Sequence, residues 1–208
     1  MIKCKRFYLR ALLFVIPVLY SCSMPPAPPP VPIQKPKAKI TVPRPIFSRL
    51  DNYKVRRWKY IIIHHSAIDK GSAYSIDRYH REDRGWRNGL GYHFVIGNGN
   101  GARNGQIEMG GRWRKQMKGA HAGNHEYNQY GIGICLIGNF EKKRPSEAQL
   151  SALTDLIKYL QKRCNIPTRK IFRHKDVKTT VCPGDHFPYY ELMARLKRRD
   201  TLTNNSNH

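Results

Sequence analysis

YIIIHHSA, residues 60–67, decides how the rest of the chain is read. Three consecutive isoleucines leave no polar face, so the segment reads as a strand buried on both sides, as in the middle of a sheet. Two histidines end the run. A buried imidazole costs free energy unless its nitrogens find partners, so a pair of them here points to a site at the end of the strand. Successive strand residues face opposite ways. His64 and His65 therefore diverge, and one metal ion takes only one of them without distortion. The strand alone leaves open which.

Working outward, further strands are expected at 59–63, 92–96, 106–109, 132–137 and 170–172. The run at 75–84 puts Ile76, Tyr79 and His80 on one helical face. Residues 146–164 follow Pro145 and carry Leu150, Leu153, Ile157, Leu160 and Cys164 at helical spacing, with Ser146 and Gln149 spaced as a capping box. A last helix, 188–198, buries Leu192 and Leu196. Gly97-Asn98-Gly99-Asn100-Gly101 joins two strands. Strands and helices interleave, which predicts an α/β domain over 51–198 with a mixed, mainly parallel central sheet flanked by about three helices.

The flanks differ in kind. Lys3, Lys5, Arg6 and Arg10 precede a short apolar run, Leu12 to Leu19, too short to span a bilayer. Residues 1–21 read as a lipoprotein-type signal peptide ending at Leu19-Tyr20-Ser21-Cys22, with Cys22 the lipidated residue; an ordinary secretion signal is the alternative. Residues 25–46 hold nine prolines, so 22–50 is expected to be a semi-rigid spacer reaching roughly 60–70 Å. Residues 199–208 form a polar, disordered tail. Together these predict an exported bacterial lipoprotein held by an N-terminal lipid anchor at a membrane, periplasmic or on the cell surface. Ser23 after Cys22 favours the outer membrane.

The formal charge is +24, and removing four basic residues with the signal leaves +20 on the mature chain. Such a charge suits a polyanion. Nucleic acid is disfavoured by the export signal and by the lack of any RNP, C2H2 or homeodomain-like pattern. Acidic wall polymers or anionic lipid fit better, beside the plain reading of a solvated basic surface. Cys135, Cys164 and Cys182 remain after export, an odd number that argues against a disulfide framework and leaves room for a thiolate ligand.

Of nine histidines, His80 reads as surface, His125 as loop and His208 as tail. RHKDVKTTVCPGD, residues 173–185, is the most specific stretch. His174 and Cys182 are too far apart for adjacent helical turns but suit the two ends of a loop that folds back. Imidazole and thiolate suit zinc, and three protein ligands with an open fourth position characterise a catalytic site. The third ligand is expected from His64 or His65. The competing reading is a buried cysteine and a surface histidine.

His64-His65-Ser66-Ala67, Gly85-Trp86, Gly91-Tyr92-His93-Phe94, Gly119-Ala120-His121-Ala122, Tyr130-Gly131-Ile132-Gly133-Ile134, Ile137-Gly138-Asn139-Phe140 and His174-x7-Cys182-Pro183-Gly184-Asp185 occur in one order. Together they resemble the zinc-dependent N-acetylmuramoyl-L-alanine amidases, with the phage amidase-type lysozymes and the peptidoglycan recognition proteins, over residues 56–197. The resemblance implies zinc held by His64, His174 and Cys182, and peptidoglycan or muropeptides as partner. It implies hydrolysis of the amide between N-acetylmuramic acid and L-alanine. The protein is expected to act as a monomer. A non-catalytic peptidoglycan-binding module is the alternative, but members of that kind typically lack the cysteine ligand.

The same resemblance gives Tyr92 and Thr180 catalytic roles and His121 a place in substrate binding. Some relatives have a lysine where Thr180 stands, and one branch has a glutamate base where Cys135 stands. The match turns Cys135 toward the zinc cleft, away from any pairing with Cys164. His65 becomes a neighbour packing behind His64, and His93 a core or surface residue. Trp86 is expected to pack beneath the cleft. Arg112 is a candidate partner for a stem-peptide carboxylate.

Overall fold

The computed structural model describes residues 45–197. The expected signal peptide, Cys22, most of the proline-rich spacer and the tail lie outside the described residues. Five strands are present: β1 (Tyr60–His65), β2 (Phe94–Ile96), β3 (Ile107–Met109), β4 (Gly131–Leu136) and β5 (Ile171–Arg173). They form one sheet in the order β3-β2-β4-β1-β5. β2, β4, β1 and β5 run parallel, and β3 pairs antiparallel with β2 at the edge. The mixed, mainly parallel sheet is therefore as expected.

β1 sits in the interior of the sheet, as its apolar run requires, with Ile61, Ile62 and Ile63 fully buried. Ile61 and Ile63 join the larger core cluster with Phe94, Ile96, Ile132, Ile134 and Leu136. The helices are α1 (Pro45–Asp51), α2 (Ala73–Glu82), α3 (Gly111–Arg114), α4 (His125–Tyr130), α5 (Glu147–Cys164) and α6 (Tyr189–Lys197). α5 supplies the main cover. Its Ser146 capping box forms as the sequence predicts, and Leu150, Leu153, Leu156, Ile157 and Leu160 are buried against the sheet. Each such side chain contributes about 1.5–3 kcal/mol, an upper bound because the unfolded chain is already partly compact. The opposite cluster is smaller: Ile76 of α2 with Leu90, Val95, Cys135 and Ile137.

Three features differ from expectation. The folded unit starts before residue 51, because α1 forms and its Leu50 is fully buried. The chain at 92–93 is not yet strand; β2 begins at Phe94. Asn124 caps α4 by accepting from the Tyr127 N–H, which turns the expected loop around His125 into a helix. Among the described residues no helix is long and apolar enough to cross a membrane.

Candidate metal centre

β1 and β5 run parallel with Ile63 beside Arg173. The next residues, His64 and His174, therefore emerge side by side at the carboxyl ends of adjacent strands, where parallel sheets gather their ligands. Their ring centroids are 4.5 Å apart. Cys182 returns to the same place because the loop after β5 closes on itself. The Lys175 N–H donates to the Cys182 carbonyl at 2.8 Å, and the Gly184 N–H to Val181 at 2.7 Å. Gly184 has φ +102°, and a Cβ there would lie 2.2 Å from the Phe140 carbonyl carbon. Only glycine lets this turn lie against the chain leaving β4.

Donor atoms of His64, His174 and Cys182 all lie within 4.8 Å of one another, and Cys182 Sγ is 3.8 Å from His64 Nδ1. Donors around tetrahedral zinc stand roughly 3.3–3.6 Å apart, given bonds of about 2.0–2.3 Å. The cluster needs only a small contraction to match. His64 and Cys182 are buried and His174 half-buried. Burial, helped by His121 and His174, holds the His64 pKa well below the ordinary histidine value. Burial also lowers that of His174. Both imidazoles are neutral at pH 7, the form that ligates. Burial pushes the Cys182 thiol up to about 12, against the opposing His65 N–H that donates to Sγ at 3.4 Å. A cation that binds here must displace that proton. Two neutral imidazoles and a displaceable thiol proton fit zinc.

His65 turns to the other face of β1, as alternation predicts. Its Nδ1 accepts the Phe140 N–H at 3.2 Å, so the second histidine of the pair anchors the chain after β4. The Tyr92 ring lies 5.1 Å from His64. Burial, reinforced by the thiols of Cys135 and Cys182, holds its pKa well above the ordinary tyrosine value. Tyr92 is therefore a proton donor across the neutral range. Cys135 lies opposite His64 in the β1–β4 register, on the face the sequence assigned to it, and burial keeps its thiol protonated. Cys135 and Cys164 are both free. Thr180 Oγ1 accepts the Cys182 N–H at 3.3 Å, and a hydroxyl that accepts still carries a proton to donate.

His121 comes closest of all to a ligand. Its Nδ1 is 3.1 Å from His64 Nε2, and its Nε2 is 3.3 Å from the Gly131 carbonyl. Burial drives its pKa down to about 3. Arg112 departs from expectation. It is buried, and its guanidinium donates to the Leu90 carbonyl at 2.6 Å and to Lys118 at 2.5 Å. It clamps together the loops carrying Tyr92 and His121 rather than presenting its charge to a carboxylate. His93 is fully buried, with Nδ1 accepting from Gly133 and Nε2 on the Met117 carbonyl, each at 3.0 Å. His80 is half-buried rather than fully exposed. It stacks on Trp86 at 4.4 Å and accepts the Gly91 N–H at 3.1 Å.

Sequence reasoning missed three contributors. The Ala122 carbonyl lies 3.3 Å from His174 Nε2. Asn128 Oδ1 accepts from both His121 N–H and Ala122 N–H, at 2.8 and 2.9 Å. Lys178 lays its amine over Gly123, where a Cβ would sit 2.4 Å from Nζ, and its charge acts on His174. None has a local signature, since backbone carbonyls carry no residue identity and both side chains act across loops.

Residues 54–185 match the family described as N-acetylmuramoyl-L-alanine amidase. The chain is 31% identical over 138 residues to the pig (Sus scrofa) N-acetylmuramoyl-L-alanine amidase, covering 61% of this chain and 21% of that protein. It is 32% identical over 136 residues to peptidoglycan-recognition protein SC1a of Drosophila melanogaster, covering 68% of that protein. It thus spans about a fifth of the first and two thirds of the second. Among solved structures, the amidase LysC from Clostridium intestinale superposes with a TM-score of 0.59 at 34% identity, covering 69% of this chain and 87% of that one. Peptidoglycan recognition protein-LE, solved with tracheal cytotoxin (monomeric diaminopimelic acid-type peptidoglycan), superposes at 0.55 and 27% identity, covering 67% and 82%. The fold, the register of the motifs and these likenesses agree: this chain belongs to the N-acetylmuramoyl-L-alanine amidase family.

Proposed function

We propose that this protein is a zinc-dependent amidase that cleaves the bond between N-acetylmuramic acid and the L-alanine of a peptidoglycan stem peptide. The observation that carries this reading is the convergence of His64, His174 and Cys182 from three separate segments, with donor atoms within 4.8 Å of one another. Zinc, when bound by these three side chains, supplies a Lewis acid and lowers the pKa of a water ligand to about 7.

The other groups have definable tasks. Tyr92, kept protonated by burial, donates a hydrogen bond to the oxygen of the scissile amide as negative charge develops there, worth about 3 kcal/mol for such a donor. Thr180 stands beside Cys182 as a second hydroxyl donor without charge. Cys135, held protonated, cannot act as a general base at neutral pH. Lys178 brings a cation to the rim beside His174, where it can meet a stem-peptide carboxylate now that Arg112 is committed to backbone carbonyls. The recognition protein solved with a monomeric peptidoglycan fragment supports a muropeptide as ligand, and the basic surface suits acidic wall polymers.

The test is release of stem peptides from purified peptidoglycan by the full chain. Release should stop with a chelator, return with added zinc, and be absent in Cys182→Ser while wall binding persists. Binding without release by the zinc-loaded wild type would instead establish a non-catalytic binding module.

A further inference from the structure

We propose that one loop, residues 119–122, is the device that orients both metal-binding histidines, and that His121 is a positioning residue rather than a substrate contact. The inference rests on the zinc reading above. A backbone carbonyl only accepts hydrogen bonds. His121 Nε2 faces the Gly131 carbonyl at 3.3 Å, so the His121 proton resides on Nε2 and Nδ1 is bare. That bare nitrogen is 3.1 Å from His64 Nε2, which must then be the donor. His64 is thereby fixed as the Nε2–H tautomer, and its Nδ1 lone pair points to the side where Cys182 Sγ lies 3.8 Å away.

The second ligand repeats the arrangement one residue further on. His174 Nε2 faces the Ala122 carbonyl at 3.3 Å, so its proton too is on Nε2 and Nδ1 is left for the metal. Adjacent residues of one loop thus set the tautomer of both imidazoles. The loop is itself held firmly. Asn128 accepts from the His121 and Ala122 N–H groups, and the Gly119 and Ala120 N–H groups donate to the carbonyls of Asn128 and Gly91. The His121 ring is packed against Gly119 and Gly133, where added Cβ atoms would lie 2.3 and 2.4 Å from its Cδ2. A ring so enclosed, 8% exposed, suits fixed geometry better than contact with a large, variable ligand.

Outer-shell partners of metal-binding histidines typically change metal affinity 10–100-fold when removed. Zinc affinity, measured by competition with a chromogenic chelator, should fall by that factor in His121→Leu. His121→Asn, whose amide oxygen can stand in for Nδ1, should recover most of the loss. Long-range proton–nitrogen NMR of the zinc-loaded wild type should show His64 and His174 both protonated on Nε2. This spectrum needs no variant to fold. Ligation through Nε2, or a His121→Leu protein that holds zinc as tightly as wild type but binds muropeptides less well, would overturn the proposal. Failure of the wild type to bind zinc would overturn the amidase reading as well.

Discussion

Gly133→Ala offers a sharp test of how tightly the site is packed. Gly133 lies mid-strand in β4, between β2 and β1, and its N–H and carbonyl are both bonded to His93. The strand cannot yield, so the His121 ring must. A Cβ at position 133 would sit 2.4 Å from His121 Cδ2, whereas ordinary contact begins at 3.4 Å. The ring therefore has to shift by about 1 Å, a third of its 3.1 Å separation from His64, which disturbs the alignment of that hydrogen bond. Overpacking of this kind costs about 1–3 kcal/mol. For a domain of this size that lowers Tm by roughly 2–12 °C. Zinc affinity should drop by about 10–100-fold as His64 loses its partner. Thermal unfolding of the metal-free protein and chelator competition measure the two effects separately. Gly111→Ala is the control, since a Cβ there meets nothing within 4 Å. A Gly133→Ala protein with unchanged Tm and zinc affinity would refute this packing.

Other expectations follow from the same geometry. Tyr92→Phe should leave fold and zinc content intact but lower kcat by about 10²–10³-fold, the loss expected of one oxyanion donor; unchanged turnover would remove Tyr92 from the chemistry. The metal-free protein should weaken in acid. Burial holds His64, His93 and His121 below the ordinary value of 6.5, His121 near about 3. As pH falls below 6.5 the unfolded chain takes up protons that the folded chain refuses. Stability is then fully present above pH 6.5 and lost toward pH 3, at up to about 1.4 kcal/mol per pH unit for each histidine. A Tm that stays flat from pH 7.5 to 4.5 would contradict this. In cells, labelled fatty acid should be incorporated into the full chain and not into Cys22→Ala; equal labelling would dismiss the lipid anchor.

Much of this was legible because it depends on local pattern. The isoleucine run placed β1 inside the sheet, the capping box placed the start of α5, and alternation separated His64 from His65. The convergence of His64, His174 and Cys182 was legible because these residues sit where strands end and loops turn, and the motifs keep their order along the chain. Residues acting through distant backbone were not legible. Arg112 looks like a surface cation in sequence, yet it is buried by the carbonyls of Leu90 and Lys118. His80 reads as surface because its helix is rich in charge, but the loop after that helix covers it with Trp86 and the Gly91 N–H. The link from His121 to His64 joins residues 57 apart in sequence, and no periodicity encodes it. The first turn of the domain hid within a proline-rich stretch, because proline favours the first turn of a helix as readily as it favours an extended spacer.

Cleavage of the muramoyl–alanine amide leaves two diagnostic ends, which end-group analysis of the products identifies. A purified muropeptide carrying N-acetylmuramic acid and its stem peptide would be incubated with the zinc-loaded full chain, and the products identified by mass spectrometry and N-terminal labelling. The expected products are a peptide with a free L-alanine amine and an intact sugar bearing a free lactyl carboxylate. Cleavage elsewhere in the peptide or glycan, or recovery of the muropeptide unchanged, would contradict the proposed activity.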